Sequence, residues 1–386
     1  MRAIAEEAFA LVRDYKGSHS GEHGDGIVRS EFHERMFGTQ LVHAFEEVKD
    51  RFDPGGLFNP GRIVRAPPFD DRRLFRYGPD YRAEEIATHL DWSAYPGAGG
   101  GFQGAVEMCN NNGACRALAG GTMCPSYRVT REERDVTRGR ANALRLAITG
   151  QLGPDALTSD AMAETLKLCV SCKACRRECP TGVDMARMKI EVLAARAAKR
   201  GLSLRDRLIG YLPRYAPFAA KFPALFNLRD DLPLLARLSE TFTGFSARRA
   251  LPRWRKPFAD PDAPIGPADG PEVALFVDTF SRYFEPETIE AAMNVLVVAG
   301  CRVHLPKSDR RPLCCGRTFL AVGKIDEARR EAERCVAALA PFVTRGIPVV
   351  GLEPSCLIGF RDEIPALIKT EDARLLASRE IGRAHV

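Results

Sequence analysis

Four cysteines within eleven residues constrain this chain more than any other feature of its sequence. They follow the spacing C-x2-C-x2-C-x3-C, with a proline directly after the last: Cys169, Cys172, Cys175, Cys179 and Pro180. This spacing is typical of bacterial iron–sulfur ligation, because thiolates so close together can converge on one cluster. Zinc sites more often use two distant C-x2-C pairs. The run predicts an iron–sulfur cluster, with a redox-silent zinc scaffold as the alternative.

An imperfect second copy of the run lies upstream. It begins at Cys109, carries Asn112 where the second cysteine would stand, continues at Cys115 and ends with Cys124 before a proline. In two-cluster ferredoxins the fourth cysteine of each run binds the cluster of the other run. One complete [4Fe–4S] site would then combine Cys124 with the first three cysteines of the perfect run.

The remaining three thiolates would form a second, incomplete site from Cys109, Cys115 and Cys179. Such a site holds a cluster with a non-cysteine ligand, a [3Fe–4S] cluster, or no cluster. Asn112 is a candidate weak ligand, although asparagine is also a common turn residue. We expect one [4Fe–4S] cluster and leave the second open.

The composition agrees with a redox protein of the cell interior. The chain has 12 cysteines in 386 residues, and a chain of this length can bury a core without disulfides. It contains no apolar run long enough to span a membrane and no signal-peptide core at its start. The net charge of +6 is modest and its basic residues are dispersed. We expect a cytoplasmic protein, or one peripheral at the inner membrane, without a nucleic-acid partner or transmembrane segment.

The pattern predicts a multidomain fold of the α+β and α/β classes. The predicted regions are a glycine-rich N-terminal segment (1–65), a linker with a flexible glycine loop (66–101), a helical ferredoxin-type domain (102–200), connecting helices interrupted by prolines (201–270), an α/β domain (271–380) and a tail resembling a translated sequencing adapter (381–386).

Local patterns predict several elements within these regions. We expect a strand at 27–29, a helix over 34–51, a helix capped by Thr137 and a helix over 185–199. We expect Arg138, Arg140 and Arg145 to lie on a solvated helix face. In the last domain, strands at 273–277, 301–305 and 347–352 alternate with helices, which predicts a parallel sheet with functional loops at the strand ends.

The N-terminal segment carries two glycine-rich motifs. The first is G-E-H-G-D-G over 21–26, and the second is F-N-P-G over 58–61. Glycine on both sides of a Glu-His pair lets the backbone approach a ligand closely. Together the motifs resemble the C-terminal part of flavin-linked 2-hydroxyacid oxidoreductases, the group of glycolate oxidase, D-lactate dehydrogenase and D-2-hydroxyglutarate dehydrogenase.

That resemblance implies roles for residues of this chain. Glu22 would help hold a divalent metal such as zinc, and His23 would accept the proton of the substrate hydroxyl, which suits an imidazole near neutral pH. Asn59, Gly24 and Gly26 would lie near the FAD. The paired metal-binding histidines and the flavin-binding domain of the family would lie outside this chain. His19 and Arg29 are lesser candidates for substrate contact.

A Cys-Cys-Gly motif marks the α/β region. Cys314 and Cys315 precede Gly316, and Cys356 follows about forty residues later. The motif resembles the cysteine-rich repeat of heterodisulfide reductase and of anaerobic glycerol-3-phosphate dehydrogenase iron–sulfur subunits, but it lacks two of the repeat's cysteines. These three residues bind metal, or they are a redox-silent remnant. Cys301 and Cys335 fit core positions.

The order of the parts resembles bacterial fusion proteins that join an FAD-linked D-2-hydroxyacid dehydrogenase to an iron–sulfur module. The resemblance implies oxidation of D-2-hydroxyglutarate or D-lactate, with electrons passed from FAD through the cluster to a quinone, flavoprotein or cytochrome. We expect the chain to be the C-terminal part of such an enzyme and to be inactive alone. The alternative is a non-catalytic electron-transfer subunit of a glycolate or glycerol-3-phosphate dehydrogenase complex.

Overall fold

The computed structural model describes residues 1–75, 77–95, 100–308 and 311–379. Part of the predicted glycine loop (96–99) and the predicted artefactual tail lie outside these residues. The described chain is mostly helical, and its one sheet, among these residues, has three short strands.

The helices are α1 Arg2–Asp14, α2 His33–Phe37, α3 Thr39–Phe52, α4 Gly101–Glu107, α5 Pro125–Thr130, α6 Thr137–Ile148, α7 Asp160–Lys167, α8 Ala174–Glu178, α9 Met185–Arg200, α10 Leu204–Gly210, α11 Leu212–Ala219, α12 Pro223–Asp231, α13 Pro233–Thr243, α14 Thr279–Phe284, α15 Pro286–Val298, α16 Arg317–Leu320, α17 Ile325–Thr344, α18 Pro354–Arg361, α19 Glu363–Leu367 and α20 Glu371–Arg379. Short 3-10 turns occupy Ser30–Phe32, Arg72–Leu74, Ala114–Arg116, Glu133–Asp135 and Ala156–Thr158. The strands are β1 Glu272–Phe276, β2 Arg302–His304 and β3 Val349–Gly351.

The chain forms two compact units, residues 1–82 and residues 83–386. The finer division inferred from the sequence stays a prediction. Within the second unit, residues ahead of the ferredoxin-type region already belong to the core. Leu90 and Trp92 are buried, and Glu191 of α9 accepts hydrogen bonds from the backbone N–H of Leu90 and from the Trp92 indole.

The first unit contains α1, α2 and α3 joined by turns. The predicted strand at 27–29 is wrong, because these residues form consecutive turns. Gly26 takes a φ of 53°, and the hydroxyl of Ser30 donates to its carbonyl at 2.5 Å. This local bond closes the chain on itself, and a strand would need an extended partner. The predicted helix over 34–51 occurs as α2 and α3, which Gly38 separates at a φ of 81°.

The ferredoxin-type region is built from α4 to α9, as the helical prediction for this region requires. Two of its helix starts are capped by side chains: Ser159 accepts from the N–H of Met162, and Asp184 accepts from the N–H of Arg187. The predicted cap by Thr137 is wrong. Thr137 is the first residue of α6, and its side chain makes no capping bond.

Prolines mark helix starts in the connecting region. Pro223 and Pro233 open α12 and α13, and Pro213 is the second residue of α11. A proline is tolerated at these positions because the first N–H groups of a helix have no partner within the helix.

The α/β region contains the predicted parallel sheet, in the order β2-β1-β3. Glu272 pairs with Arg302, and Ala274 pairs with both His304 and Val349. The long helix α17 buries the face that carries Ala328, Ala332 and Leu339 in the larger core. In the part of the chain described here, no helix combines the length and the apolar character that crossing a membrane requires.

Candidate functional site

Four of the predicted cluster ligands line one cavity: Cys124, Cys169, Cys172 and Cys175. Their exposure is graded. Cys124 and Cys175 are buried, Cys169 is half-buried and Cys172 is exposed. Burial raises the pKa of Cys175 to about 12 when the cavity holds no cation. The structure therefore brings together the set that the ferredoxin pairing rule predicts.

The two cysteine loops share one backbone conformation. The second and fourth residues after the first cysteine are left-handed in both: Ser171 and Lys173 have φ values of 55° and 59°, and Asn111 and Gly113 have 65° and 80°. Left-handed backbone is uncommon for residues other than glycine. Because it recurs at the same two offsets, the loops are structural repeats, and Asn112 stands where the complete run has its second cysteine.

Asn112 completes a turn in this position. Its Oδ1 accepts from the N–H of Ala114 at 2.8 Å, and its Nδ2 donates to Oδ1 of Asn110 at 2.6 Å. Both ends of the amide are engaged within the loop, as is typical of an Asx turn.

A carboxylate connects the two halves of the four-cysteine cavity. Glu178 at the end of α8 accepts from the N–H groups of Thr122 and Met123, each at 2.8 Å. These bonds lower the pKa of Glu178. They hold the segment that leads to Cys124 against the helix that carries Cys175.

Two cations flank the cavity. Arg140 is fully buried, and its Nη1 lies 3.5 Å from Sγ of Cys124. Lys189 donates to the carbonyl of Cys169 at 2.6 Å, and burial lowers the pKa of this lysine. The prediction of a solvated face is wrong for Arg140. The sequence did contain a signal, because Arg140 stands four residues before Leu144 on the buried stripe of α6.

The remaining three cysteines lie around the incomplete loop. Cys109 and Cys115 are buried, and burial raises the pKa of Cys115. Helix α8, which ends just before Cys179, packs against the 3-10 turn that contains Cys115. Burial alone would raise the pKa of Cys179, but hydrogen bonds from Thr181 and the backbone of 181–183 lower it overall. A cysteine so placed is readily converted to the thiolate that binds metal.

The four-cysteine cavity fits a [4Fe–4S] cluster. Its donor set consists entirely of sulfur, it is enclosed on the side of Cys124 and Cys175, and Arg140 and Lys189 would offset the negative charge of a thiolate-bound cluster. Whether the three remaining thiols share a second cluster stays a prediction.

The G-E-H-G-D-G motif forms an open turn in the first unit. Glu22 and His23 are exposed, and Gly24 and Gly26 have φ values of 71° and 53°. Asn59 is also exposed and has a φ of 48°. The motif thus presents Glu22 and His23 to solvent, whereas its third polar residue, Asp25, is half-buried. The roles of Glu22, His23, Gly24, Gly26 and Asn59 toward metal, substrate and flavin remain predictions.

A group that the sequence did not single out lies beside this motif. One possible ligand atom from each of His19, Asp25 and His33 lies within 4.8 Å of the other two. Only the acid belongs to the recognised motif. The sequence suggests His19 as a lesser candidate for substrate contact, whereas the residues around His33 indicate an ordinary helix start.

The Cys-Cys-Gly region also brings its cysteines together. Sγ of Cys315 lies 3.0 Å from Sγ of Cys356, and Cys335 donates to the carbonyl of Cys314 at 3.0 Å. All four are buried. The predicted core position of Cys335 is confirmed, whereas Cys301 is half-buried against a smaller core cluster. Metal binding at this site stays a prediction.

Comparisons with known proteins agree with this layout. Residues 1–63 match the family "FAD linked oxidases, C-terminal domain", and residues 105–183 match the family "4Fe-4S dicluster domain". No solved structure matches the chain.

Curated relatives extend the match over nearly the whole chain. It is 25% identical to D-2-hydroxyglutarate dehydrogenase of Escherichia coli (strain K12) and 27% identical to that of Pseudomonas putida (strain KT2440), in each case over 94% of this chain and 39% of the relative. It is 24% identical to the probable glycolate oxidase iron-sulfur subunit of Bacillus subtilis (strain 168), over 61% of this chain and 54% of that protein.

The chain thus spans about two fifths of the length of the dehydrogenases it matches. It combines an FAD-linked oxidase C-terminal segment with a 4Fe-4S dicluster domain, and it is similar to D-2-hydroxyglutarate dehydrogenases along nearly all of its length.

Proposed function

We propose that this chain is part of an FAD- and iron–sulfur-dependent dehydrogenase that oxidises a D-2-hydroxyacid, D-2-hydroxyglutarate or D-lactate, to the 2-oxoacid. The observation that carries the proposal is a four-cysteine cavity in a chain whose N-terminal segment matches FAD-linked oxidases. FAD, held mostly outside this chain, would supply a two-electron acceptor, and the cluster would supply one-electron transfer toward a quinone, flavoprotein or cytochrome.

The exposed turn of the first unit would serve the substrate. His23 would accept the proton of the substrate hydroxyl, because an imidazole can take up a proton at neutral pH. Glu22 would help orient the hydroxyl and carboxylate through a divalent metal. Gly24 and Gly26 would let the backbone come close to the flavin, and Asn59 would lie at its edge. Their exposure supports these roles, since the two side chains remain accessible to ligands.

The second unit would hold the relay. Cys124, Cys169, Cys172 and Cys175 would bind the cluster as thiolates, while Arg140 and Lys189 would offset its charge. The incomplete loop would bind a further cluster through Cys109, Cys115 and Cys179 only if three thiolates suffice.

The first test is iron and acid-labile sulfide content of anaerobically purified protein, with EPR spectra before and after reduction by dithionite. We expect about four irons per chain, or about seven to eight if the incomplete site is also filled. Cys172→Ser should remove the reduced-state signal of the complete site. Cys301→Ser, which changes a cysteine outside the cluster region, should leave it unchanged. A colourless protein that binds zinc but no iron after reconstitution contradicts the relay.

The second test concerns turnover. The 386-residue chain alone should not oxidise D-2-hydroxyglutarate or D-lactate, and joining it to a flavin-binding domain encoded in frame upstream should restore dye reduction by one of them. In that protein His23→Ala should lower kcat by about 10²–10⁴-fold, the usual contribution of a general base. Turnover by the chain alone would overturn the proposal that FAD is held mostly by residues outside this chain.

A second function is favoured by a separate observation. The match to an iron-sulfur subunit of a probable glycolate oxidase covers 61% of this chain. We also consider a non-catalytic electron-transfer subunit that receives electrons from a partner flavoprotein. It differs from the first proposal because residues 1–65 would be dispensable for electron transfer, and the upstream reading frame would encode no flavin-binding domain.

A further inference from the structure

Three side chains in the first unit enclose a small polar site. The ligand atoms of His19, Asp25 and His33 lie within 4.8 Å of one another. His19 is 7% exposed and His33 is 2% exposed. The site is therefore secluded from water, although Glu22 and His23 in the intervening turn are exposed.

His33 is oriented as metal-binding histidines usually are. Its Nδ1 lies 2.9 Å from the carbonyl oxygen of Ile63, so this nitrogen must carry the proton and donate it. Nε2 then points into the site, 2.9 Å from Oδ2 of Asp25. A backbone carbonyl on the outer nitrogen fixes both the tautomer and the ring plane, which is the usual second-sphere arrangement around metal-bound imidazole.

The other two side chains carry unused polar atoms. Among the described residues, neither ring nitrogen of His19 has a hydrogen-bond partner, and Oδ1 of Asp25 also has none. A buried polar atom that is left unpaired destabilises the fold. A cation that accepts nitrogen and oxygen ligands would give a partner to one ring nitrogen of His19 and to the carboxylate of Asp25.

The surrounding chain keeps the site in shape. The N–H of Ile63 donates to the carbonyl of Gly26 at 3.2 Å and to the hydroxyl of Ser30 at 3.2 Å. Through its carbonyl the same residue also holds His33. Aromatic rings form the outer wall: Phe9 packs on His19 with ring centroids 4.8 Å apart, and Phe37 packs on His33 at 5.4 Å.

We propose that His19, Asp25 and His33 bind a divalent transition-metal ion, with zinc as the cation that best fits two imidazoles and one carboxylate. Imidazole selects such ions over magnesium and calcium, which prefer oxygen ligands. Zinc binds nitrogen and oxygen at about 2.0–2.2 Å, so tetrahedral ligand atoms lie about 3.3 Å apart. The contact between His33 and Asp25 would open slightly to admit the ion, and His19 would move toward it.

This site goes beyond the proposed function. Its ligands include neither His23, the proposed base, nor Glu22, whose proposed metal would be a separate ion at the exposed turn. His19, a lesser candidate for substrate contact, would serve here as a metal ligand instead. Three protein ligands leave a fourth coordination position open, so the ion could also bind water or an anionic ligand.

The test measures metal directly on the full chain with its iron–sulfur cysteines occupied. Zinc is added to chelator-treated protein under anaerobic conditions, and the bound zinc is counted and examined by X-ray absorption. We expect one zinc in a shell of nitrogen and oxygen at about 2.0–2.1 Å, without the sulfur shell at about 2.3 Å that cysteine ligation gives. Magnesium should not compete.

Matched variants locate the ion. Asp25→Asn and His19→Gln keep side-chain size, and each should weaken zinc binding beyond the roughly 10–100-fold that losing an outer-sphere partner costs. His43→Ala, which changes an exposed histidine of α3, should have no effect. Asp25→Asn and His19→Gln are both measured because one of them alone could fail to fold. The melting temperature of each variant shows whether it is folded.

Three results would overturn the site: a sulfur-only zinc shell, unchanged affinity in a folded Asp25→Asn or His19→Gln protein, or loss of zinc in Glu22→Gln. In the last case the ion would belong to the G-E-H-G turn. His23→Ala should lower kcat by about 10²–10⁴-fold in the protein joined to a flavin-binding domain, while zinc stays bound. Failure of this inference is therefore distinguishable from failure of the proposed function.

Discussion

The guanidinium of Arg140 lies against the thiol of Cys124, with Nη1 3.5 Å from Sγ, and the arginine has no exposed surface. Its other nitrogens are held by the carbonyl of Thr165 at 3.1 Å and the hydroxyl of Ser126 at 3.0 Å. A permanently charged group is thus fixed beside one proposed ligand of the cluster.

We predict that Arg140 raises the reduction potential of the complete cluster, because a buried cation stabilises the more negative, reduced form. Arg140→Gln should lower the potential by about 60–120 mV, which is one to two tenfold steps for a one-electron couple. Redox titration followed by EPR measures it. Arg140→Lys retains the charge and should shift the potential less. Arg134→Gln, at an exposed position, should leave it unchanged, and an equal potential in Arg140→Gln would contradict the prediction.

The shared backbone of the two loops predicts that Asn112→Cys completes the second ligand set. The new thiol would occupy the position that Cys172 has in the intact run. After anaerobic reconstitution we expect about eight irons per chain, and any EPR signal of an oxidised [3Fe–4S] cluster in the wild type should disappear. Asn110→Cys adds a thiol to the same loop at the wrong offset and should not raise the iron content. Equal iron contents in both variants would contradict the prediction that position 112 corresponds to the cluster ligand Cys172.

Glu191 is predicted to be the main attachment of residues 89–92 to α9. It accepts from the N–H of His89 at 3.0 Å, the N–H of Leu90 at 2.8 Å and the indole of Trp92 at 2.9 Å. Glu191→Ala leaves buried donors unpaired and should lower the free energy of unfolding by about 3 kcal/mol, with Glu191→Gln at about half of that.

Urea denaturation at neutral pH measures both losses. Glu164→Ala provides the control, because its ion pair with Lys167 is exposed and should contribute less than about 1 kcal/mol. A loss in Glu191→Ala no greater than in the control would show that the segment is held by apolar packing alone.

Asp362 is predicted to make stability depend on acid pH. Its carboxylate lies 2.5 Å from Lys173 in the cysteine run and 2.5 Å from Arg176. Burial alone would raise the pKa of Asp362, but these two cations lower it overall. A carboxyl whose folded-state pKa is depressed stabilises the fold above its unfolded value of about 3.9, and this contribution is lost as the pH falls through the folded value.

The measurement is the free energy of unfolding from neutral pH down to about pH 3. Asp362→Asn should cost about 2–3 kcal/mol at neutral pH and should flatten the loss below about pH 4. Burial raises the pKa of Asp184, so this residue changes the stability with pH in the opposite direction. Asp184 is present in both proteins, so the difference between the pH profiles of wild type and Asp362→Asn reports on Asp362. Parallel pH profiles would refute the assignment.

The features that were predictable from sequence are those set by short spacings. The cysteine run, the helices of the ferredoxin-type region and the alternation that gives the parallel sheet each depend on neighbours within a few residues. The pairing of Cys124 with the distant run was also predictable, because a known ligand-exchange rule links the two. Helix boundaries were less predictable, as Thr137 shows. This residue type is suited to capping, but Thr137 is the first residue of α6, and the buried Val136 before it ends the preceding turn.

The features that were missed depend on contacts across long separations. His33 comes to Asp25 only because the backbone of Ile63, thirty residues further on, holds its ring. The charge of Arg140 suggests a solvent-exposed side chain. Its position four residues before Leu144 places it on the buried face of α6 instead. The residues at 27–29 have strand propensity, but none of the strands in the described residues pairs with them. The local bond between Ser30 and Gly26 therefore decides their structure.

The exposure of Cys172 has a consequence for the oxygen sensitivity of the proposed cluster. Of the four cavity cysteines it is the one that solvent reaches freely, while Cys124 and Cys175 are covered. Electron tunnelling falls steeply with distance, so an acceptor protein would gain most by docking over this corner. The same opening admits oxygen and peroxide, and damage should begin there with oxidation of Cys172 and loss of one iron. If Cys172 binds the proposed cluster, the shortest exit for electrons and the weakest point toward oxidants would therefore be the same sulfur atom.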